Sequence, residues 1–294
     1  MNIDSKPSIG ILGGDKRLVY TGKYLEKEGY KVLASGFEKY SEQLSFFLSD
    51  FQKNIEESEI VLLPVPPIKE GNLNCVYSEK TVDFGKDILP FLKGKKVFTP
   101  MKEKLLALYP KLSECSLFDY GEREDFAVRN AMPTAEGALY VAMGNTEKTI
   151  CSSRCLVCGC GRIGKVLAPM LKRLWAQVWV SARKPEDIGW IEANGMNSLR
   201  TDGLEICQLD FDIIFNTVPH MVFDRKLLSR LNKETLIIDL ASVPGGVDFQ
   251  AAEELGIKTI HALSLPGKMS PDTAGKIIKD TVVNLFFHIL ISKP

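Results

Sequence analysis

Residues 154–184 read RCLVCGCGRIGKVLAPMLKRLWAQVWVSARK. The stretch opens on an apolar run, Cys155 to Cys158, that predicts a buried strand. Gly159, Gly161 and Gly164 follow in G-x-G-x-x-G spacing. An apolar-periodic run from Ile163 to Leu174 then predicts a helix, and Val178 to Val180 a second strand. This order of strand, glycine turn, helix and strand is the context in which the spacing signals dinucleotide binding. Gly159 permits the tight turn, Gly161 admits a pyrophosphate close to the backbone, and Gly164 lets helix and strand pack closely. Arg162 and Ile163 open the helix, whose first N–H groups carry a partial positive charge toward a phosphate.

The end of the second strand refines the cofactor. A carboxylate there holds the ribose 2′-OH of NAD. Ser181, Ala182, Arg183 and Lys184 stand there instead, and the first carboxylate is Glu186. Ser181, Arg183 and Lys184 are therefore expected to meet a 2′-phosphate, which a guanidinium grips with paired hydrogen bonds. NADP is the expected cofactor; the plain alternative is a solvated turn with two exposed cations. Cys155, Cys158 and Cys160 fall on the strand and its turn, where small buried side chains suit packing. No metal is expected.

At 294 residues the chain has room for two domains of ordinary size. Its 45% apolar and 25% charged content describes a soluble globular protein. Lys plus Arg and Asp plus Glu each total 37, which gives no electrostatic case for nucleic acid or an anionic membrane. Met1 to Lys6 shows no apolar signal region, and the longest apolar run, Val282 to Ile291, is too short to cross a bilayer. Seven cysteines without framework spacing point to reduced thiols in a cytoplasm.

Outward from the fingerprint, strands are expected at Ser8–Leu12, Tyr30–Ala34, Glu59–Val65, Lys96–Thr99 and Ser116–Phe118. Helical patterns separate them, so the first half is an α/β domain with a parallel sheet. Gly13 to Arg17 loosely repeats the later glycine turn without its spacing, and receives no cofactor. Asp119 to Leu139 is dense in ionisable residues and turns helical at Pro133, a residue suited to a first helical position. Beyond the fingerprint, Phe211–Thr217, Leu236–Leu240 and Thr259–His261 are strands, with a weak one near Leu199. Ala262 to Gly275 reads as a loop and Ala274 to Leu290 as a final helix. In open α/β sheets ligands lie beyond the carboxyl ends of the strands. Asn216, Thr217, Val218, Pro219 and Ala241 should thus line the nicotinamide side. The expected fold is α/β, with two Rossmann-like domains, parallel sheets and an interdomain cleft. Residues 1–125 would form the substrate-side domain and 126–294 the NADP-binding domain, including the linker and C-terminal helices.

EREDFAVRNAMPTAEGA (Glu122 to Ala138), GCGRIG (Gly159 to Gly164), IFNTVP (Ile214 to Pro219), IDLASVPGG (Ile238 to Gly246) and LPGKMSPDTAG (Leu265 to Gly275) occur in this order. With GILGGDKR at Gly10 to Arg17, this set resembles the family of dipicolinate synthase A subunits from spore-forming bacteria, over nearly the whole chain. The second half is more distantly similar to alanine and 2-hydroxyacid dehydrogenases. The resemblance implies NADP-dependent oxidation of dihydrodipicolinate to dipicolinate in the cytoplasm of a sporulating mother cell. It also implies two kinds of association, with the flavoprotein-like B subunit of dipicolinate synthase and with further copies in a homo-oligomer.

Such a site must hold a dicarboxylate and accept a proton. Arg17, Arg123 and Arg129 are the candidate cations for the carboxylates, with Thr134 and Ser270 as hydroxyl donors. His220, Glu122 and Lys268 are the catalytic candidates, with Asp272 as a further carboxylate. A histidine suits proton transfer near neutral pH, and His220 directly follows the Asn216–Pro219 strand end. A lone histidine there is otherwise structural. No Pro-His pair marks the last loop as in 2-hydroxyacid dehydrogenases. Two rival functions remain: an NADP-dependent amino-acid or hydroxy-acid dehydrogenase, and a non-catalytic nucleotide-binding subunit.

Overall fold

The computed structural model of the protein describes residues 6–207 and 209–291. The expectation drawn from Met1 to Lys6 falls, Lys6 apart, outside the described residues. In chain order the first elements are β1 (Ile9–Leu12), α1 (Lys16–Lys27), β2 (Val32–Ser35), β3 (Phe47–Leu48), α2 (Phe51–Glu57) and β4 (Ile60–Leu62). A hairpin, β5 (Ile68–Lys69) and β6 (Asn72–Leu73), precedes β7 (Lys96–Thr99), α3 (Lys102–Leu108), β8 (Ser116–Asp119) and α4 (Glu124–Met143). The fingerprint region supplies β9 (Arg154–Cys158), α5 (Arg162–Arg173), β10 (Gln177–Ala182), α6 (Pro185–Ala193) and β11 (Asn197–Arg200). Then come β12 (Ile213–Asn216), α7 (Arg225–Leu228), β13 (Leu236–Asp239), α8 (Phe249–Leu255), β14 (Thr259–His261), α9 (Leu265–Met269) and α10 (Pro271–Ile291).

Two compact units result: Met1–Arg129 with Ser270–Pro294, and Asn130–Met269. Each is built on a six-stranded sheet whose pairs are all parallel, ordered β3-β2-β1-β4-β7-β8 in the first and β11-β10-β9-β12-β13-β14 in the second. Setting the hairpin aside, both follow the doubly wound order with the reversal beside the central strand. Apolar side chains on both faces explain why the strands read as unbroken apolar runs. In β9, Cys155 and Val157 enter one core cluster while Leu156 and Cys158 enter the other. In β1, Ile9 and Ile11 face one cluster and Leu12 the opposite one.

Three expectations change. The C-terminal helix was expected with the second half but belongs to the first unit. Its Ile278, Val282 and Phe286, four residues apart, share a core cluster with Ile9, Leu18 and Leu25. A Cβ on Gly275 would stand 2.6 Å from the Arg17 carbonyl oxygen and 2.6 Å from Tyr20 Cβ, so only glycine allows α10 this close to α1. Thr21 Oγ1 seals the crossing by donating to the Gly275 oxygen at 3.0 Å. Secondly, α4 starts at Glu124 and contains Pro133, rather than starting there. Proline has no N–H, so the Arg129 carbonyl loses its helical donor where the chain passes from one unit to the other. The boundary expected after residue 125 thus falls inside this helix. Thirdly, the predicted loop Ala262–Gly275 contains α9 and the start of α10.

Candidate functional site

In the second unit the glycines behave as the spacing requires. Gly159 has φ +101°, and a Cβ there would stand 2.4 Å from Thr217 Oγ1. A Cβ on Gly164 would meet the Gly159 carbonyl oxygen at 2.1 Å, which is how helix and strand come so close. Gly161 differs: a Cβ there would meet nothing within 4 Å, and as the N-cap of α5 it offers no side-chain acceptor. The cap position of α5 thus supplies no side-chain hydrogen bond, and the space a side chain at Gly161 would fill is open. Burial pushes the Cys155 and Cys158 thiols up to about 12 and Cys160 to about 11. All three behave as neutral packing groups. Among the described residues no three His, Cys, Asp or Glu cluster as metal ligands, and no helix is long and apolar enough to cross a membrane.

At the end of β10 the three residues expected to meet a phosphate part company. Arg183 and Lys184 are exposed; Lys184 Nζ lies 3.9 Å from Glu186, and Arg183 forms no ion pair among the described residues. Ser181 is fully buried. Its hydroxyl donates to Cys158 Sγ (3.3 Å) and accepts from Thr201 Oγ1 (3.1 Å). Both faces of the sheet are covered here, with Val180 and Ala182 buried like Ser181, so Ser181 braces β9, β10 and the turn after β11.

On the other side of the reversal stands β12. Asn216 is fully buried, donating from Nδ2 to the Val218 oxygen (3.0 Å) and to Asp239 Oδ1 (2.8 Å). Its Oδ1 accepts from Val218 N at 3.2 Å. Thr217 Oγ1 donates to the Cys158 oxygen at 2.9 Å, tying this loop to the glycine turn. Pro219 and His220 are exposed, and the His220 ring has no hydrogen-bond partner among the described residues. Ala241 is buried and acts through its backbone: its N–H donates to Asp239 Oδ1 (3.0 Å) and its oxygen lies 3.1 Å from His261 Nε2. The sequence reading missed Asp239. Its signal was an acid closing an otherwise apolar strand, LIID, followed by Gly245 and Gly246.

The remaining candidates divide between the units. In the second, Thr134 is buried and its hydroxyl donates to the Asn130 oxygen at 2.7 Å, while Lys268 on α9 is exposed. In the first, Arg17 is buried, its Nε and Nη2 bonded to Asp15 at 2.8–3.1 Å and its Nη2 also to the Val65 oxygen at 2.5 Å. Arg123 pairs with Asp125 at 2.8 Å, and its hydrogen bond holds that carboxyl below the usual range. Arg129 pairs with Asp280 at 3.1 Å. Glu122 is exposed at the rim of a cavity of about 440 Å³ that Val65, Pro100, Met101, Lys104 and Phe126 also line. Asp272 accepts from the Tyr24 hydroxyl at 2.5 Å, and this bond raises the phenol above its ordinary value. Ser270 is half-buried just before α10.

The turn after β1 shows what a closed version of this site looks like. Asp15 caps α1 by accepting from Arg17 N at 3.0 Å. Gly14 N donates to the Asn74 oxygen at 2.7 Å, and Cys75 Sγ stands 2.2 Å from where a Cβ on Gly13 would be. Counted from the strand end, Asp15 stands where Gly161 stands after β9, so a side chain fills the cap position in one turn and none does in the other.

The whole chain has a well-matched relative. It is 33% identical over 288 residues to the A subunit of dipicolinate synthase from Bacillus subtilis (strain 168), covering 96% of both chains. The chain belongs to the dipicolinate synthase A-subunit family. Residues 8–120 match the family described as the N-terminal domain of dipicolinate synthase A subunits. The crystal structure of the A subunit of dipicolinate synthase from Bacillus halodurans superimposes with a TM-score of 0.87 at 29% identity over 98% of each chain. An L-alanine dehydrogenase shares the fold at a TM-score of 0.63 and 12% identity, over 96% of this chain and 90% of that one.

Proposed function

We propose that this protein oxidises dihydrodipicolinate to dipicolinate with NADP, in the mother cell of a sporulating bacterium and together with the B subunit of the synthase. The observation that carries this reading is the glycine at the cap of α5, with open space where its side chain would be, in a member of the dipicolinate synthase A-subunit family. A helix N-terminus with its dipole suits a pyrophosphate, and the bare glycine lets one come close. Arg183 and Lys184, with no carboxylate before Glu186, suit a 2′-phosphate. Bound NADP supplies the hydride acceptor.

The chain's own residues bind, orient and take the proton. The Asn216–Val218 loop shapes the nicotinamide end, since Asn216 holds Val218 at both its N–H and its oxygen. Aromatisation of a dihydropyridine ring removes a hydride and a proton, so one base is needed and positioning supplies most of the acceleration. Arg17 is the first choice for carboxylate binder: it is buried and immobilised by Asp15, and its Nη1 makes no hydrogen bond among the described residues. Arg123 and Arg129 are paired likewise, with Asp125 and Asp280, but their side chains are less buried, and Asp272 is engaged by the Tyr24 hydroxyl. His220 is therefore the first choice for proton acceptor, with Glu122 and Lys268 behind it and Thr134 and Ser270 as supporting donors.

The deciding assay follows dipicolinate by ultraviolet absorbance, with purified chain, dihydrodipicolinate and NADP, with and without the B subunit. NADP-dependent formation is expected, and turnover of alanine or lactate in its place would refute the reading. One observation favours a second reading, a nucleotide-binding protein without catalysis of its own: among the described residues no hydrogen bond orients the exposed His220 ring. NADP binding without dipicolinate formation in either state would establish it.

A further inference from the structure

Strands β12 and β13 lie side by side and end level, Asn216 against Asp239. Both residues are fully buried. A buried carboxylate is ordinarily matched by a cation, yet no ion pair of Asp239 occurs among the described residues. Three N–H groups meet it instead: Ala241 N (3.0 Å) and Asn216 Nδ2 (2.8 Å) at Oδ1, and Gly246 N (2.8 Å) at Oδ2. Every one of these bonds is accepted, which is the hydrogen-bonding role that a carboxylate fills. The space around it is fitted to that role. A Cβ on Gly245 would stand 2.6 Å from Asp239 Oδ2, and one on Gly246 would stand 2.4 Å from Asn216 Nδ2.

The bonds join three strand ends. Asn216 transmits the contact to both polar groups of Val218, while the Gly246 oxygen accepts from Val222 and Phe223 at 2.9 Å each. Ala241 carries it to His261, which ends β14 and stacks on Phe249. The charge is felt across the sheet as well. At Cys158, which leads into the glycine turn, it adds to burial in raising the thiol, against the hydrogen bond from Ser181.

We propose that Asp239 is a positioning residue that also acts through its charge. It fixes the loops after β12 and β13, and its uncompensated negative charge makes the site prefer the oxidised cofactor. This rests on reading the glycine turn as an NADP site. The oxidised nicotinamide ring carries a positive charge that the reduced ring lacks, and burial of the carboxylate leaves little water to screen it. An enzyme that consumes NADP gains from this sign, because the reduced product leaves as its attraction is lost.

Equilibrium titration of the full chain with NADP and with NADPH tests it. The unmodified protein should bind NADP at least as tightly as NADPH. Asp239→Asn should shift the affinity ratio about ten-fold toward NADPH. Asn216→Ala, which removes the relay and keeps the charge, should weaken both forms together and leave the ratio within about two-fold. Equal loss of both forms in Asp239→Asn, or an unchanged ratio, overturns the electrostatic role. If that variant does not fold, the unmodified protein decides: NADPH bound about ten-fold more tightly than NADP overturns it equally. Binding of neither form by the unmodified chain overturns the nucleotide reading itself.

Discussion

The turn after β1 and the turn after β9 occupy the same place in two sheets of the same strand order, at the reversal of that order. One is closed and the other open. After β1 the helix start is capped by Asp15, braced by Arg17 and covered by Asn74 and Cys75. After β9 the helix start has glycine at its cap and empty space beside it. Strand order therefore makes a crevice, and local side chains decide whether a ligand can use it. What separates the two turns is the cap position, Asp15 in one and Gly161 in the other.

The sharpest test of this contrast lies in the close-packed glycines. Gly164→Ala sets a Cβ 2.1 Å from a backbone oxygen that cannot move aside. A stability loss of about 3 kcal/mol with loss of NADP binding is expected, read by urea denaturation and cofactor titration. Next come two substitutions whose effects should cross. Gly13→Ala meets a positive φ of 61° and the Cys75 sulfur. It should cost about 2 kcal/mol of stability and leave NADP affinity unchanged. Gly161→Ala should leave the unfolding midpoint in place and weaken NADP about ten-fold, since its methyl would fill only the ligand's space. If both variants lose stability alone, the second turn is as closed as the first.

Arg183→Ala is expected to cost about 1.5–3 kcal/mol of NADP affinity, with NAD affinity unchanged and no effect on folding. An unaltered NADP/NAD preference would remove Arg183 from the site. Asp15→Ala removes the cap of the closed turn and should cost about 1 kcal/mol of stability without touching cofactor binding. The smallest effect belongs to alkaline pH. Burial lowers the Lys279 ammonium, but Asp280 and Glu28 outweigh it and hold its value above the ordinary 10.5. Its stabilisation is thus complete below 10.5 and declines as pH rises through the higher folded value. Lys279→Met should remove that decline, as followed by thermal unfolding across alkaline buffers.

How much of this was legible beforehand depended on whether the signal was local. The unit from Arg154 to Lys184 could be read because its strand, turn and helix are contiguous and its glycine spacing is fixed by backbone contacts between near neighbours in the chain. Lys96–Thr99 and Thr259–His261 were likewise read to the residue. What failed was non-local. Nothing near Gly13 announces that Cys75 lies over it, and nothing near Gly275 announces α1. The burial of Ser181 could not be read either, because it depends on cover over both faces of the sheet. Asp239 was passed over because a strand-ending acid reveals its role only when its three donors are in place.

The return of α10 to the first unit bears on the order in which the protein is made. The second unit is one uninterrupted segment, Asn130–Met269. Its sheet and core are complete once that segment has left the ribosome. The first unit draws Ile278, Val282 and Phe286 into the same cluster as Ile9 and Leu18, so its core waits for residues made last. During synthesis Ile9 and its neighbours must remain without their final cover while the entire second unit is translated, and the half of the protein that begins first is the half that finishes folding last.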